Sequence, residues 1–441
     1  MSNNINTSKQ NPSWPNIEYY KEVIQDLQTY PNLVFPNEII NLKNELKEVS
    51  IGTKFIIQGG DCAETFKNFS DQVIKNKLKI LLQMSAIIQF TTNKKVINIG
   101  RIAGQYIKPR SELFETRNNI TLPSYRGDGV NSIEFTSEKR VPNPANLIKA
   151  YHQSSSTMNL IRVLIMSGFT NMENIELWNS DLINNTKLGK KYNSIVHEIQ
   201  NALNFIKTSS SKSPYLVNNK NNFYTSHEAL LIDYEKAFIQ NYNNKTYCCS
   251  GHMLWVGDRT RNPDSEQINF LSTIDNPIGI KIGPSFCISD LSKIYDKLNP
   301  DNEKGKIVFI IRLGEKYIKK ILPEIIKKVK YYGYEIIWFC DPMHGNTIKS
   351  KNGYKTRNFD TIINELKYFF EIAKSESINP GGVHFELAGE QVTECLGGID
   401  DIKDIDLDLR YESTCDPRLN NEQSLEIAFL ISEFIKVKEN L

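Results

Sequence analysis

The sequence lacks any long hydrophobic run and any excess of charge of one sign. Its apolar runs are short, as at residues 307–311, whereas a membrane-spanning helix needs about 20 apolar residues. The 53 Lys and Arg residues are balanced by 51 Asp and Glu residues, so no global field attracts nucleic acid or a membrane surface. The first thirty residues are polar and contain no apolar core of a secretory signal. We therefore expect a cytoplasmic protein without nucleic-acid or membrane partners.

Cysteine is also scarce, and it is not arranged in pairs. The seven cysteines of the 441-residue chain are odd in number and show no CxxC spacing. A chain of this length does not need disulfides to build a core, so we expect most thiols to be reduced and at least one to be available as a ligand. The composition, 40% hydrophobic and 24% charged, excludes a disordered, collagen-like or coiled-coil chain.

Short apolar runs rich in β-branched residues alternate with stretches of helical periodicity. The predicted strands lie at 54–58, 95–100, 252–257, 278–282, 306–312, 334–340, 382–387 and, weakly, 407–411. The predicted intervening and closing helices lie at 72–90, 264–272, 289–298, 316–332, 360–375 and 422–437. Eight such units predict an α/β fold, a (β/α)₈ TIM barrel. A Rossmann-like open sheet is the alternative, although no GxGxxG motif follows any of these strands.

The chain is longer than a barrel requires, because a TIM barrel needs only about 250 residues. We assign residues 1–50 to an N-terminal extension and residues 51–441 to the catalytic barrel. The remaining surplus is a largely helical insertion at about 121–250, after the second strand, with helices predicted at 145–166 and 181–207.

Residues that bind metals or anions stand at the end of every predicted strand, where the active site of a TIM barrel lies. One set combines a thiol, an imidazole and two carboxylates, which suit a divalent transition-metal ion: Cys62, His344, Glu386 and Asp416. A second set supplies four cations for phosphate or carboxylate: Arg101, Arg259, Lys281 and Arg312. The residues alone predict a metal-dependent enzyme acting on phosphorylated or carboxylated metabolites, and they leave the reaction open.

Structural roles compete with each of these assignments. A single strand-end cysteine is more often a small buried hydrophobic residue than a ligand, and a single arginine more often forms a surface ion pair. The coincidence at eight strand ends favours a site. His384 lies two residues before Glu386 and therefore on the same face of its strand, inside the barrel. It is either a hydrogen-bond partner of the site or a core histidine.

The same segments resemble the type II (plant-like) 3-deoxy-D-arabino-heptulosonate 7-phosphate (DAHP) synthases from about Leu33 to Val437. The matching motifs are QGGDCAE at 58–64, GRIAGQYIKPRS at 100–111, LPSYRGDGVN at 122–131, YTSHEALLIDYE at 224–235, GDRTR at 257–261, CDPMHGNT at 340–347, GYKTRNFD at 353–360, TECLGG at 393–398 and CDPRLN at 415–420. A series of this length is specific to one family.

The resemblance implies a barrel enzyme that condenses phosphoenolpyruvate with erythrose 4-phosphate, the first step of the shikimate pathway. It implies Mn²⁺ or Co²⁺ as the metal, with Zn²⁺ or Fe²⁺ as alternatives, held by the four residues of the first set. Phosphoenolpyruvate would be bound by Arg101, Asp258, Arg259, Lys281 and Arg312. Lys108 and Lys355 would lie near erythrose phosphate, and Lys108, Lys281 and Arg259 would be catalytic. It also favours a homo-oligomer and aromatic amino acids as effectors.

Two departures from the family pattern bear on these expectations. Asp258 stands where the family motif usually has Glu, one methylene longer, and residues 12–16 match a Trp-containing signature only weakly. An enzyme without aromatic feedback is therefore an alternative. So are another metal-dependent barrel lyase or aldolase and a non-catalytic homologue. Cys415 adjoins Asp416, and a disulfide with Cys62 would remove a metal ligand.

Overall fold

Eight parallel strands close into a barrel in the computed structural model, which describes residues 10–178, 187–209 and 223–439. The strands are β1 Lys54–Gly60, β2 Lys95–Arg101, β3 Phe114–Arg117, β4 Ile120–Pro123, β5 Phe223–Glu228, β6 Ile239–Tyr242, β7 Lys245–Cys248, β8 Met253–Val256, β9 Ile278–Ile282, β10 Ile307–Ile311, β11 Ile336–Cys340, β12 Thr347–Lys349, β13 Lys355–Arg357 and β14 Pro380–Glu386. The order around the barrel is β1, β2, β5, β8, β9, β10, β11 and β14, and β14 pairs with β1. The remaining strands form three antiparallel hairpins. The predicted TIM barrel is confirmed.

Helices follow most barrel strands, as the sequence periodicity predicts. They are α1 Ile17–Thr29, α2 Pro36–Ser50, α3 Asp71–Thr92, α4 Ala145–Met166, α5 Lys187–Ser209, α6 Ile232–Lys236, α7 Glu266–Leu271, α8 Asp290–Leu298, α9 Glu315–Tyr332, α10 Phe359–Ser375 and α11 Asn421–Glu439. Short 3₁₀ helices lie at Met172–Trp178 and Asp404–Asp406. The first six residues of the helix predicted at 181–207 lie outside the described residues. None of the described helices is both long and apolar enough to cross a membrane.

The third barrel strand corrects the sequence prediction. The strand is β5, which lies inside the segment predicted as a helical insertion at about 121–250. Its residues 223–225 pair with β2, and its residues 226–228 pair with β8. The stretch at 407–411, predicted as the last strand, forms turns, and Leu409 is 74% exposed. Alternation in FYTSHE places polar side chains inside the barrel, so β5 has no apolar run. The strand that precedes Asp258 is therefore the fourth, and Asp416 lies in the loop after the last strand rather than at a strand end.

The inside of the barrel is apolar at one end and charged at the other. Side chains that point inward alternate with those that pack against the surrounding helices. The inward apolar cluster is made of Ile56, Ile97, Ile99, Tyr224, Met253, Trp255, Val308, Ile310, Ile337 and Phe339. Helix α2 closes this end, because its Leu42, Leu46 and Val49 belong to the same cluster. The other end, at the C-termini of the strands, is left for polar side chains.

A buried lysine fixes α2 in this position. Lys43 is 3% exposed, and its Nζ lies 2.9 Å from Oδ2 of Asp275 and 2.6 Å from Oε2 of Glu303. These two acids lie in the loops before β9 and β10. The N-terminal extension is thus joined to the barrel both by apolar packing and by buried ion pairs, so it is part of the core of the protein.

A tight approach between β1 and β2 requires a glycine where the chain turns towards Cys62. Gly60 has φ +148°, and a Cβ at this position would lie 2.6 Å from the carbonyl oxygen of Arg101. Any side chain would therefore push the two strands apart. This explains the second glycine of the QGGDCAE motif and places Cys62 beside the end of β2.

Closure of the barrel by α2 can be tested by mutation. We expect Leu46→Ala to lower the free energy of unfolding by about 2–5 kcal/mol, because Leu46 is fully buried and the substitution leaves a cavity. Asn44→Ala, at an exposed position of the same helix, is the control and should change it by less than about 0.5 kcal/mol. Urea unfolding followed by circular dichroism measures both. Equal stability of the two variants would contradict this account of α2.

Candidate active site

A cavity of about 500 Å³ lies at the C-terminal ends of the barrel strands. It is lined by every residue predicted to bind substrate: Arg101, Lys108, Asp258, Arg259, Lys281, Arg312 and Lys355. Six of these seven side chains are basic, which suits an anionic ligand. His344 and Asp416 of the predicted metal set line the same cavity, so the two predicted sets share one site.

The four predicted metal ligands lie together although they come from distant parts of the chain. Cys62 follows β1, His344 follows β11, Glu386 ends β14, and Asp416 lies in the loop after it. The ligand atoms of Cys62, Glu386 and Asp416 lie within 4.8 Å of one another. Nε2 of His344 lies 3.0 Å from Oε1 of Glu386. A thiol, an imidazole and two carboxylates are a donor set suited to a divalent transition-metal ion.

One carboxylate oxygen of Glu386 tests whether a cation fits there. Oε2 of Glu386 accepts a hydrogen bond of 2.8 Å from Nη2 of Arg357. Oε1 is buried and accepts no hydrogen bond from the residues that the structure describes. A buried carboxylate oxygen without a hydrogen bond is costly, and a cation bound beside it removes that cost. The residues present therefore fit a metal ion.

Neighbouring side chains orient the ligands. Nδ1 of His344 lies 2.8 Å from Oδ2 of Asp341, so Nδ1 carries the proton and Nε2 presents its lone pair. Nζ of Lys355 lies 2.8 Å from Oδ1 of Asp416. Nζ of Lys108 lies 2.9 Å from the sulfur of Cys62. In the structure both lysines contact residues of the predicted metal set, and their placement near erythrose phosphate stays a prediction.

The protonation states follow from burial and from these charges. Burial alone would raise the pKa of Glu386, but the guanidinium groups of Arg357 and Arg101 hold it well below its usual range. Burial and contact with Cys415 raise the pKa of Cys62 well above its usual value. The thiol of Cys62 is therefore protonated unless a cation displaces the proton. Both Cys62 and Cys415 are free thiols in this structure.

Arg101 and Lys281 are the most deeply buried of the cations that line the cavity. Nη1 of Arg101 lies 2.8 Å from Nε2 of His384, and Nη2 donates to the carbonyl oxygen of Cys62 at 3.1 Å. Nε of Arg101 is buried and has no hydrogen-bond partner among the described residues. Lys281 pairs with Asp341, and burial, reinforced by Arg101, lowers the pKa of Lys281 to about 8. An unpaired guanidinium N–H and a buried ammonium are donors for an anionic ligand.

Asp258 joins two arginines at the edge of this region. Oδ1 of Asp258 accepts from Nη2 of Arg261 at 2.8 Å, and Oδ2 accepts from Nη1 of Arg312 at 3.2 Å. Arg312 also donates to the carbonyl oxygen of His344 at 2.6 Å. Arg259 lies further out, exposed to solvent, with its Nε 3.0 Å from the hydroxyl of Ser111. The shorter carboxylate at position 258 thus orients arginines, and its contact with substrate stays a prediction.

Comparison with known proteins decides the family. The sequence profile of the Class-II DAHP synthetase family matches residues 2–432. The chain belongs to this family. Among curated relatives, a phospho-2-dehydro-3-deoxyheptonate aldolase of Streptomyces coelicolor is 45% identical over 429 residues, which is 97% of this chain and 95% of the relative. The aldolase AroG of Mycolicibacterium smegmatis is 40% identical, covering 97% of this chain and 92% of the relative.

Solved structures of proteins with the same activity name also align. The phospho-2-dehydro-3-deoxyheptonate aldolase from Francisella tularensis SCHU S4 aligns with a TM-score of 0.48 at 14% identity. The alignment covers 95% of this chain and 96% of that one. The chain is placed in the class-II DAHP synthetase family by its sequence matches, and this structural alignment adds nothing to that placement.

Three residues of the class-II DAHP synthetase site were missed at the level of sequence. Glu228 ends β5 and lines the cavity, its Oε1 is buried without a hydrogen bond from the described residues, and burial raises its pKa. The sequence analysis did not select Glu228 because it did not predict β5, the strand that Glu228 ends. The signal that could have identified this residue is its place in the YTSHEALLIDYE motif. The other two residues are Asp341, which hydrogen-bonds to His344, and Arg357, which hydrogen-bonds to Glu386. Both belong to quoted motifs, but only the three-dimensional contacts give them a role.

The metal assignment can be tested on the full chain stripped with chelator. Loss of a residue that hydrogen-bonds to a metal ligand typically weakens metal binding by roughly 10–100-fold. We expect Cys62→Ala to weaken Co²⁺ binding by more than this, because the substitution removes a direct ligand. The thiolate-to-cobalt absorption band should vanish as well. Cys395→Ala is the control, because Cys395 is also buried but its thiol bonds the carbonyl oxygen of Arg418. Unchanged absorption and affinity in Cys62→Ala would rule out this ligand.

Proposed function

We propose that this protein is a DAHP synthase that condenses phosphoenolpyruvate with D-erythrose 4-phosphate and water to give DAHP and phosphate. This is the first step of the shikimate pathway and of aromatic amino acid biosynthesis. The proposal depends chiefly on one observation, that a metal-ligand set and a set of buried cations share one cavity in a chain of the class-II family. An enol phosphate carries several negative charges, and an aldehyde needs its oxygen polarised. The two halves of the cavity match these two requirements.

Buried cations bind the enol phosphate in this proposal. Arg101 and Lys281 are the deepest, with side chains 2% and 6% exposed, and they offer donors to carboxylate or phosphate oxygens. Arg312, fixed by Asp258, supplies a third cation. Arg259 lies at the exposed rim together with Ser111, where it contacts the anion as it enters. Fixed cations of this kind hold charge without reorganisation while the substrate carbon becomes electrophilic.

The acceptor aldehyde lies on the metal side of the cavity. A divalent cation held by Cys62, His344, Glu386 and Asp416 would polarise the aldehyde oxygen towards attack by C3 of phosphoenolpyruvate. Lys108 and Lys355 hold the sugar phosphate on this side, next to the ligands that they also contact. The reaction then needs a proton for the new hydroxyl group and a water at C2, after which phosphate leaves by cleavage of its bond to C2.

Two titratable side chains are placed for these proton transfers. Lys281, with a pKa of about 8, exchanges a proton readily near neutral pH, and we assign to it the acid–base role at the reacting carbons. Glu228 lines the same cavity and has a raised pKa and an unpaired oxygen. This combination suits a group that orients and deprotonates the attacking water.

The proposal includes finer points that the sequence raised. The metal is Mn²⁺ or Co²⁺ ahead of Zn²⁺ or Fe²⁺, as the family resemblance implies, and a donor set of one thiol, one imidazole and two carboxylates can hold each of these ions. The enzyme is a cytoplasmic homo-oligomer whose effectors are aromatic amino acids. Size-exclusion chromatography with light scattering, and inhibition assays with Phe, Tyr and Trp, decide the assembly and the regulation separately from the reaction.

The reaction itself is tested by release of inorganic phosphate from phosphoenolpyruvate. We expect release only when erythrose 4-phosphate is also present, loss of activity after chelator treatment, and recovery with Mn²⁺ or Co²⁺. Mass spectrometry should identify the seven-carbon sugar acid phosphate as the product. Folded, metal-binding protein that releases no phosphate under any of these conditions would exclude the proposed reaction. Activity with a different aldehyde would indicate a related barrel aldolase.

The role of Lys281 gives a second test of the reaction. We expect Lys281→Met to lower kcat by about 10²–10⁴-fold, the usual contribution of a positioned acid or base. The Co²⁺ affinity should change little, because Lys281 is not a ligand. Lys327→Met, at an exposed position of α9, is the control and should retain full activity. A Lys281→Met enzyme with kcat within threefold of the wild type would remove Lys281 from the mechanism.

A further inference from the structure

Four buried polar side chains form a continuous chain of contacts across the barrel interior. They are Gln58 on β1, Arg101 on β2, Ser226 on β5 and His384 on β14. These four strands are neighbours in the barrel, in the order β14, β1, β2, β5. Gln58, Ser226 and His384 are completely buried, and Arg101 is 2% exposed. Of the four residues, only Arg101 lines the substrate cavity, so the other three lie behind it.

The contacts link the four residues in a fixed order. Nη1 of Arg101 lies 2.8 Å from Nε2 of His384, and Nδ1 of His384 lies 2.7 Å from Oε1 of Gln58. Nε2 of Gln58 donates to the hydroxyl of Ser226 at 2.9 Å. The hydroxyl of Ser226 donates to the carbonyl oxygen of Gly100 at 3.2 Å, which returns the chain to β2.

The permanent charge of Arg101 determines the direction of every hydrogen bond in this chain. A guanidinium group has donors and no acceptor, so Nε2 of His384 must be the acceptor. A neutral imidazole then carries its proton on Nδ1, which donates to Oε1 of Gln58. A second ring proton would place two donors 2.8 Å apart beside a cation. Gln58 accordingly has its amide nitrogen towards Ser226, and no other orientation satisfies all four groups.

His384 holds two components of the site at once. Its ring packs edge-to-face on Trp255, with centroids 5.4 Å apart, and Arg101 lies over the same indole at 5.3 Å. With Nη1 bound to His384 and Nη2 bound to the carbonyl oxygen of Cys62, the guanidinium has one rotational setting. In that setting Nε is left without a partner among the described residues.

We propose that His384 is a positioning residue which, as the Nδ1–H tautomer fixed by Gln58, holds Arg101 ready for the phosphate or carboxylate of the enol phosphate substrate. The role in substrate binding depends on the proposed function, whereas the tautomer does not. Neutral histidine in water favours the Nε2–H form, so an Nδ1–H form is a specific product of this chain of hydrogen bonds. The same chain makes Gln58, remote from the cavity, a determinant of substrate affinity.

The tautomer is measured directly by ¹⁵N NMR of the full-length protein labelled at its six histidines. The signal of His384 is identified by its loss in His384→Gln. We expect a protonated Nδ1 and an unprotonated Nε2 in the wild type, and loss of this pattern in Gln58→Leu. Gln83→Leu is the matched control, since Gln83 is also buried but donates to the carbonyl oxygen of Trp178 outside the chain of contacts. A protonated Nε2 of His384 in the wild type would overturn the proposal.

Binding of phosphoenolpyruvate, measured by calorimetry, tests the consequence. We expect His384→Leu and Gln58→Leu to raise its Kd by about 10-fold or more, the effect of losing one hydrogen bond to a charged group. Co²⁺ affinity should stay within about threefold. His384→Gln restores an acceptor near the position of Nε2 and should recover most of the affinity, which a merely space-filling role would not produce.

The outcomes separate this inference from the proposed function. Equal affinity of His384→Leu and His384→Gln for phosphoenolpyruvate would overturn the positioning role. If His384→Leu does not fold, Gln58→Leu against Gln83→Leu gives the same comparison. A wild-type protein that binds no phosphoenolpyruvate would overturn the proposed function, and in that case the NMR result still decides how His384 and Arg101 are arranged.

Discussion

Burial of the Glu386 carboxylate is the constraint on which the arrangement of the site depends. A charge removed from water must be compensated at close range. Arg357 does so at 2.8 Å and Arg101 at 3.4 Å, and Nε2 of His344 lies 3.0 Å from the same carboxylate. These three residues come from β13, β2 and the loop after β11. One buried negative charge therefore determines where three segments of the chain meet. Oε1 of this carboxylate, which accepts no hydrogen bond from the described residues, is where a metal ion would bind.

The barrel interior changes character along its axis, and this change locates the site. Helix α2 and the inward apolar residues fill one end, so that end has no room for a ligand. The chain of contacts from Gln58 to His384 marks the level at which polar groups begin. It is neutral except at Arg101. It separates the apolar core of the barrel from the charged side chains at the C-terminal ends of the strands. A guanidinium can lie next to an apolar core when the neutral polar groups beside it all have hydrogen-bond partners, as His384, Gln58 and Ser226 do here.

How much of the fold and of the site could be predicted from the sequence depended on the type of residue. Apolar runs such as those of β9, β10 and β11 predicted barrel strands, because all their residues are buried. The motifs predicted the metal and anion sets, since ligand atoms are properties of residue types. β5 was missed because Ser226 and Glu228 point into a polar part of the barrel, where burial leaves no hydrophobic signal. The sequence also does not show which ring nitrogen of His384 donates and which accepts, since the direction of a hydrogen bond depends on its partners in the folded structure.

The place of β5 in the chain has a consequence for how the molecule assembles. Asn98 of β2 pairs with Phe223 of β5, so these neighbours in the barrel are separated in the chain by residues 102–222. Closing so long a loop costs entropy before any strand pairing compensates it. The other described barrel pairs, apart from β1 with β14, are joined by much shorter connections. Pairing of β2 with β5 is therefore one of the two long-range steps of barrel closure, and Arg101 and Glu228, on the two strands, enter a common cavity only when that step is complete.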